Sequence, residues 1–127
     1  MHSPRRILLV DDETSILFAF SQYLKTSGIE IDTAETLSQA DTLIQKYEYA
    51  GAVVDLRLTG ATTLEGFKVV QMIRERYPRC TTVVVTAYGG AEIRKDIERA
   101  GADYYFEKPV SPKVVRDVLQ ERGVYLA

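Results

Sequence analysis

The 127-residue chain lacks the features that mark secreted and membrane proteins. It has one cysteine, Cys80, so no disulfide can form within it, which is typical of proteins from a reducing compartment. Cys80 precedes an apolar run, and we interpret it as a structural thiol. No run approaches the roughly 18 apolar residues of a membrane span, and the short ILLV run after the basic start MHSPRR cannot form a signal peptide. We therefore expect a soluble, cytoplasmic protein without a membrane partner.

The chain also lacks an excess of positive charge. It has 16 Lys and Arg against 18 Asp and Glu, which gives a net charge of −2. Because nucleic-acid binding needs a basic surface, we expect no nucleic-acid partner. The hydrophobic fraction of 46% suits a globular core, and no Pro-rich or Ser-rich linker divides the chain. We predict a single domain over residues 1–127, with its core at about 5–122.

Short apolar runs predict five strands. Three are continuous, as in strands buried on both faces: ILLV (7–10), AVV (52–54) and TTVVV (81–85). A fourth, IEIDTA (29–34), alternates with acidic residues, which is typical of a half-exposed edge strand. The run DYYF (103–106) predicts the fifth.

Apolar residues recur with helical spacing between and after these strands. Gly28 is predicted to end the first helix and Gly101 the fourth, and Pro112 to begin the last. That helix should end near Arg122, which leaves only GVYLA and predicts no effector domain in this chain. The residues with this spacing are Leu17, Phe20 and Leu24; Leu37, Ala40 and Ile44; Val70, Ile73 and Tyr77; Ile93, Ile97 and Ala100; Val115, Val118 and Leu119.

The alternation predicts an α/β fold, a doubly wound (βα)₅ domain with a five-stranded parallel sheet. The edge character of the second strand favours the flavodoxin-like order 2-1-3-4-5. All carboxyl ends of the strands then lie at one edge, where ligands bind. Polar residues end or follow four strands there: Asp11 and Asp12, Asp55, Thr86 and Lys108.

This set of side chains suits metal-assisted phosphoryl chemistry. Close carboxylates repel one another unless a cation lies between them or some protonate, and an oxygen-only site suits Mg²⁺. Lys108 and Thr86 could bind phosphoryl oxygens, and Asp55, alone on its central strand, could be the nucleophile that forms an aspartyl phosphate. Taken singly, each residue has an ordinary structural explanation, such as acidic charge at a helix N-terminus for Asp11 and Asp12. Glu13 is assigned to the first turn of the first helix.

The segments ILLVDDE, VVDL, VVVTAY and YYFEKP together resemble the receiver domain of response regulators in two-component signalling, over nearly the whole chain. The resemblance implies that Asp55 is the phosphoacceptor. It implies that Mg²⁺ is bound by Asp12 directly, by Asp11 largely through water, by Asp55 and by the backbone carbonyl of Arg57.

The same resemblance assigns the phosphoryl-binding and switch residues. Thr86 and the Ala87 amide would bind the phosphoryl group, with Lys108 opposite and a cis bond between Lys108 and Pro109. Tyr105 matches the aromatic residue that turns inward when the threonine moves, although packing beside Tyr104 and Phe106 is an alternative role.

The implied function is a signalling switch and not an enzyme, with only self-phosphorylation and self-dephosphorylation expected. His2 is the only histidine, so the donor must be another molecule, a sensor histidine kinase. Phosphorylation would switch the face formed by helix 4, strand 5 and helix 5, through which a homodimer could form. The alternatives are a phosphate-independent interaction module on this fold and a haloacid-dehalogenase type phosphatase, whose second Asp is replaced here by Arg57.

The loop after Asp55 departs from the family pattern. The family has a proline four residues after the acceptor and a glycine eight after it, whereas here position 59 is Thr and the matching glycine is Gly66. The longer loop RLTGATTLEG lies beside the site and could alter metal access or kinase docking. We hypothesise that Arg57 and Tyr88, which flank the phosphoryl position, set the lifetime of the phosphorylated state.

Overall fold

The five strands and five helices alternate as predicted. The computed structural model describes residues 4–58, 65–87 and 90–125. The sheet is parallel throughout and has the order β2-β1-β3-β4-β5, so the predicted fold class is confirmed. The elements are β1 (Arg5–Val10), α1 (Thr14–Leu24), β2 (Ile29–Ala34), α2 (Leu37–Lys46), β3 (Gly51–Val54), α3 (Gly66–Arg76), β4 (Thr81–Thr86), α4 (Ala91–Ala100), β5 (Tyr104–Glu107) and α5 (Pro112–Glu121).

Helices cover both faces of the sheet, which explains the continuous apolar strands. Successive side chains of a strand point to opposite faces. On β1, Ile7 and Leu9 pack with the buried residues of α1 and α5, whereas Leu8 and Val10 pack with those of α2, α3 and α4. All six residues of β4 are buried, as expected for a central strand with helices on both sides.

Most helix ends lie where the sequence predicts them. The α4 helix ends at Ala100, and Gly101 follows in the left-handed conformation, with φ of +105°. The α5 helix begins at Pro112, and the Ser111 hydroxyl accepts a hydrogen bond from the Val114 amide as its N-cap. These ends confirm that local capping residues set the limits of both helices.

The α1 helix ends earlier than predicted. Its last residue is Leu24, Lys25 is already extended, and Gly28 lies in the turn before β2 with φ of +81°. Lys25 Nζ donates a hydrogen bond of 2.7 Å to the Ile29 carbonyl at the start of β2. The chain therefore leaves the helix directly after the fully buried Leu24, and Gly28 serves the turn and not the helix end.

The residues after α5 belong to the core. Val124 is 2% exposed and packs in the cluster between the sheet and helices α1 and α5. The Arg5 guanidinium donates hydrogen bonds to the carbonyls of Gly123 and Val124, and the Tyr125 hydroxyl donates to the Leu24 carbonyl at 2.8 Å. Within the described ranges, none of the helices combines the length and apolar character of a membrane span.

Candidate functional site

Two of the predicted carboxylates lie at the ends of neighbouring central strands. Asp11 follows β1 and Asp55 follows β3, and they are 5% and 7% exposed. The backbone hydrogen bonds of the sheet continue into both residues, because the Asp11 amide donates to Ala34 at 3.1 Å and the Asp55 amide donates to Val10 at 2.8 Å. Sheet pairing therefore fixes the backbone of both carboxylates, which the sequence alone could place only at a common edge.

Asp12 joins these two residues to form a cluster of three carboxylates. Ligand oxygens of Asp11, Asp12 and Asp55 lie within 4.8 Å of one another. One oxygen of Asp11 accepts a hydrogen bond of 2.9 Å from the Glu13 amide, and one oxygen of Asp55 accepts from the Arg57 amide at 3.3 Å. The cluster offers only oxygen ligands, which is the donor set that hard divalent cations prefer. It could hold such a metal ion.

Lys108, directly after β5, contacts both buried carboxylates. Its Nζ lies 2.9 Å from Asp11 Oδ2 and 3.1 Å from Asp55 Oδ2, and its side chain is 14% exposed. The Lys108 amide donates to the Thr86 carbonyl at 2.9 Å, and the peptide bond to Pro109 is cis, as the family resemblance implied. Residues from three different strand ends therefore meet at one ammonium group.

The ionisation of this cluster reflects competition between burial and charge pairing. Burial alone would lower the pKa of Lys108, but the hydrogen bond and charge of Asp11 and the charge of Asp55 raise it above its ordinary value. Burial raises the pKa of Asp11 and outweighs the lowering by the Glu13 amide and by Lys108. Lys108 thus remains charged, and one ammonium group faces more than one carboxylate. This imbalance favours the entry of a further cation.

Glu13 lies at the start of α1, as predicted, where its carbonyl accepts hydrogen bonds from the Ile16 and Leu17 amides, and its side chain has a second contact that was not predicted. It occupies the N-cap position of α1, but its side chain makes no cap hydrogen bond. Its carboxylate instead lies 3.4 Å from Lys108 Nζ, and the side chain is 57% exposed. The three consecutive acids signalled this concentration of charge, but only the folded chain shows that Glu13 faces Lys108.

The predicted switch residues lie on adjacent strands. Thr86 ends β4, is 1% exposed and pairs with Glu107 of β5. Tyr105 lies two residues before Glu107 and donates its hydroxyl hydrogen to that carboxylate at 3.0 Å. Because alternate residues of a strand share a face, Thr86 and Tyr105 lie on the same face of the sheet.

The neighbouring aromatic residues of β5 do not share the surroundings of Tyr105. Tyr104 and Phe106 stack on each other with ring centroids 6.4 Å apart and pack with the α1 and α5 side of the core. Tyr105 is half-buried against the other side, with the Arg94 guanidinium 5.3 Å from its ring centre. Tyr105 therefore does not pack with Tyr104 and Phe106, which was the alternative role considered for it.

The residues that flank the site are described in part. Ala87 and Arg57 are exposed, whereas Tyr88 and residues 59–64 of the long loop lie outside the described residues. Gly66, at the far end of that loop, donates its amide hydrogen to Leu56 at 2.8 Å. A Cβ at this position would lie 2.2 Å from the Asp55 carbonyl oxygen. The close approach explains why glycine is needed there.

Known proteins of similar sequence and structure carry the same domain. The model of the response regulator receiver domain matches residues 7–120. The chain is 34% identical over 121 residues to the photosynthetic apparatus regulatory protein RegA of Rhodobacter capsulatus, covering 95% of this chain and 64% of that protein. It is 39% identical over 111 residues to the alginate biosynthesis transcriptional regulatory protein AlgB of Pseudomonas syringae pv. tomato, covering 87% and 24%. The chain thus spans less than two thirds of these relatives.

A solved structure agrees with this result. The CheY-like response regulator receiver domain protein of Methanospirillum hungatei JF-1 superposes with a TM-score of 0.81 at 31% identity, covering 94% of this chain and 97% of that one. The order of the strands, the acidic cluster and its lysine partner are in keeping with this match. The chain belongs to the response regulator receiver domain family, whose members act in signal transduction.

Proposed function

We propose that Asp55 accepts a phosphoryl group from a partner histidine kinase in a Mg²⁺-dependent reaction. The observation that carries the proposal is the contact of Lys108 with both Asp11 and Asp55 beside the cluster of three carboxylates. One edge of the sheet thereby combines a nucleophilic carboxylate, a site for a cation and a fixed positive charge. Phosphoryl transfer requires all three.

The chemistry follows from the positions of the side chains. A carboxylate oxygen of Asp55 attacks the phosphorus, the P–N bond to the donor imidazole breaks, and its electron pair leaves with the imidazole nitrogen. The oxygens of Asp11, Asp12 and Asp55 and the carbonyl of Arg57 would hold Mg²⁺. The bound ion supplies charge neutralisation for the incoming phosphoryl group.

The product of this reaction needs further contacts to persist. The Thr86 hydroxyl, the Ala87 amide and the Lys108 ammonium would bind the phosphoryl oxygens. Lys108 loses one negative partner when Asp55 becomes an acyl phosphate, and it gains the phosphoryl oxygens in exchange. The site can therefore keep its charge pairing in both states.

The effect of phosphorylation would reach a partner through the face formed by α4, β5 and α5. When Thr86 moves towards the phosphoryl group, it would vacate space on the face it shares with Tyr105, and the tyrosine ring could turn inward. We propose that this change alters the binding of a partner, or of a second copy of the chain, at that face. We also propose that the protein acts in the cytoplasm.

Intact-mass measurement with a small phosphodonor tests the proposal. Wild type incubated with acetyl phosphate and Mg²⁺ should gain one phosphoryl group, and Asp55→Asn should gain none. Asp41→Asn is the matched control, because Asp41 is an exposed acid on α2 that is bonded to Gln45 at 3.2 Å. A wild type that folds but never gains the adduct would support the phosphate-independent module instead.

A further inference from the structure

A second concave surface lies at the opposite edge of the sheet, where the strands begin. It is a groove of about 960 Å³ between the starts of β1, β3 and β4, the end of α3 and the residues after α5. Five arginines line what we call the arginine groove: Arg5, Arg6, Arg76, Arg79 and Arg122. Glu48 is the one acid among its described lining residues. The groove is therefore strongly basic on a chain whose net charge is −2.

Only two of the five arginines are neutralised by a carboxylate. Arg6 pairs with Asp32 at 3.0 Å, and Arg122 pairs with Asp103 at 3.3 Å. Across residues 4–58, 65–87 and 90–125, the other three arginines of the groove have no ion pair. Three positive charges thus line the same groove without a carboxylate partner among the described residues.

Two of these three guanidinium groups are held in place by uncharged acceptors. Arg5 donates to the carbonyls of Gly123 and Val124. Arg76 donates to the Tyr77 hydroxyl at 3.2 Å and to the Gln45 carbonyl at 3.4 Å. A guanidinium group has five N–H donors, so these bonds fix its position and leave donors for a ligand.

Helix ends account for part of the positive charge but not for all of it. Arg76 lies in the last turn of α3 and Arg122 caps α5, and basic residues are favourable at both positions. Arg5 begins a strand, and Arg79 lies in the connection between α3 and β4. The Arg79 side chain is exposed and makes no hydrogen bond with any part of the chain that the structure describes. The contacts of Arg79 therefore give it no role in the fold, whereas Arg5 holds the segment after α5 and keeps further N–H donors for a ligand.

We propose that the arginine groove binds a small molecule that carries several phosphate groups. The guanidinium fork matches phosphate oxygens, and a polyphosphate concentrates the negative charge that three unpaired arginines need. The groove has the volume of a small-ligand site, about 300–1,000 Å³. A specific protein partner would instead need about 800 Å² of contact surface on this chain. The site lies at the other edge of the sheet from Asp55 and requires no Mg²⁺.

Calorimetric titration with inorganic triphosphate tests the proposal. The titration is done in EDTA at fixed ionic strength, so that no metal can bring phosphate to the acidic cluster. We expect Arg5→Gln/Arg79→Gln to weaken binding by about tenfold or more. The matched control is Lys95→Gln/Arg99→Gln, which removes the same charge from α4 and should change binding less than about twofold. Arg79→Gln alone loses no internal contact, so it preserves the test if the double variant fails to fold.

Three outcomes would overturn the proposal. Equal weakening in the groove and control variants would show that triphosphate responds only to net charge. Loss of binding in Lys108→Gln, with none in the groove variants, would place the anion beside Asp55. Tighter binding of a glutamate-rich peptide than of triphosphate would make the groove a protein-docking surface. The Asp55→Asn variant should bind triphosphate like wild type, which separates this proposal from the proposed phosphorylation.

Discussion

Lys108 is the residue on which the charge of the site depends. Replacing it in Lys108→Met leaves the buried carboxylates of Asp11 and Asp55 without their shared cation. We expect the free energy of unfolding to fall by about 3 kcal/mol in the absence of divalent cations, because buried carboxylates lose their compensating charge. Added Mg²⁺ should then stabilise the variant more than wild type, since Lys108 no longer competes for the same oxygens.

Urea unfolding of both proteins with EDTA and with Mg²⁺ measures this difference. Lys113→Met is the control, because Lys113 pairs at the surface with Asp117 and lies away from the cluster. It should leave the stability nearly unchanged under both conditions, because the pair is exposed to solvent. Equal stabilisation of wild type and Lys108→Met by Mg²⁺ would mean that the ion does not bind the carboxylates that Lys108 contacts.

Gly66 is a residue whose replacement has a steric cost that the structure defines. A Cβ there would lie 2.2 Å from the Asp55 carbonyl oxygen and 2.5 Å from Leu56 Cα, and these backbone atoms cannot move without disturbing the site. We expect Gly66→Ala to lower the free energy of unfolding by about 3 kcal/mol. In the control Gly51→Ala, the nearest atom is the end of the Leu119 side chain at 3.2 Å, so the loss should be smaller. Chemical denaturation compares the two, and equal losses would contradict the steric explanation.

At the scale of elements, the segment after α5 contributes to the stability of the core, which the sequence did not predict. Val124 is 2% exposed, whereas Val114 on α5 is 38% exposed. Val124→Ala should therefore reduce the free energy of unfolding by about 2 kcal/mol, through lost apolar burial and the cavity that remains. Val114→Ala, the same change at an exposed site, should cost less than about 0.5 kcal/mol. Thermal or urea unfolding measures both, and a neutral Val124→Ala would show that the segment is not part of the core.

The elements that the sequence predicted best are those whose signals are local. The periodic apolar residues of α2 and α5 and the left-handed Gly101 all depend on neighbours within a few positions. The segment 123–125 was missed because its burial and hydrogen bonds include contacts with β1 and α1, which are far away in the chain. The early end of α1 was missed for a different reason: Lys25 and Ile29 are only four residues apart, but their hydrogen bond forms only once the chain has turned into β2.

For the site as well, some features followed from the sequence and others depend on contacts in the folded chain. The rule that parallel strands end at one edge was enough to bring Asp11, Asp55 and Lys108 together from distant positions. The rule could not show which oxygens Lys108 binds or that Glu13 faces it, because those contacts depend on side-chain conformations set by packing. The arginine groove was not predicted either, because its residues share neither a motif nor a regular spacing.

At the scale of the whole molecule, the protein should lose stability at high pH, because it buries a thiol and a tyrosine side chain that ionise there. Burial raises the pKa of the Cys80 thiol to about 12 from 9.0, and burial raises the pKa of Tyr125 to about 12 from 10.0. Both groups therefore hold their protons more tightly in the folded chain than in the unfolded chain. The stability they contribute is complete below pH 9 and is lost as the pH rises towards 12.

A pH series of urea unfolding curves measures this loss. Each group should reduce the free energy of unfolding by up to about 1.4 kcal/mol per pH unit once its unfolded form is ionised. Cys80→Ala should remove the part of the loss that begins near pH 9 and keep the part that begins near pH 10, which belongs to Tyr125 and to Tyr49, whose pKa is also raised by burial and by its hydrogen bond to Asp32. A wild type whose stability is constant from pH 8 to 11 would contradict the assigned burial of both groups.

The measurement that tests the account most directly is the location of the phosphoryl group within the chain. Protein treated with acetyl phosphate and Mg²⁺ is reduced with borodeuteride, which converts an aspartyl phosphate into deuterated homoserine, and the label is located by peptide mass spectrometry. The account predicts one label, at Asp55, which disappears when Mg²⁺ is replaced by EDTA. A label at Asp11 or Asp12, or one that forms equally well without a divalent cation, would contradict it.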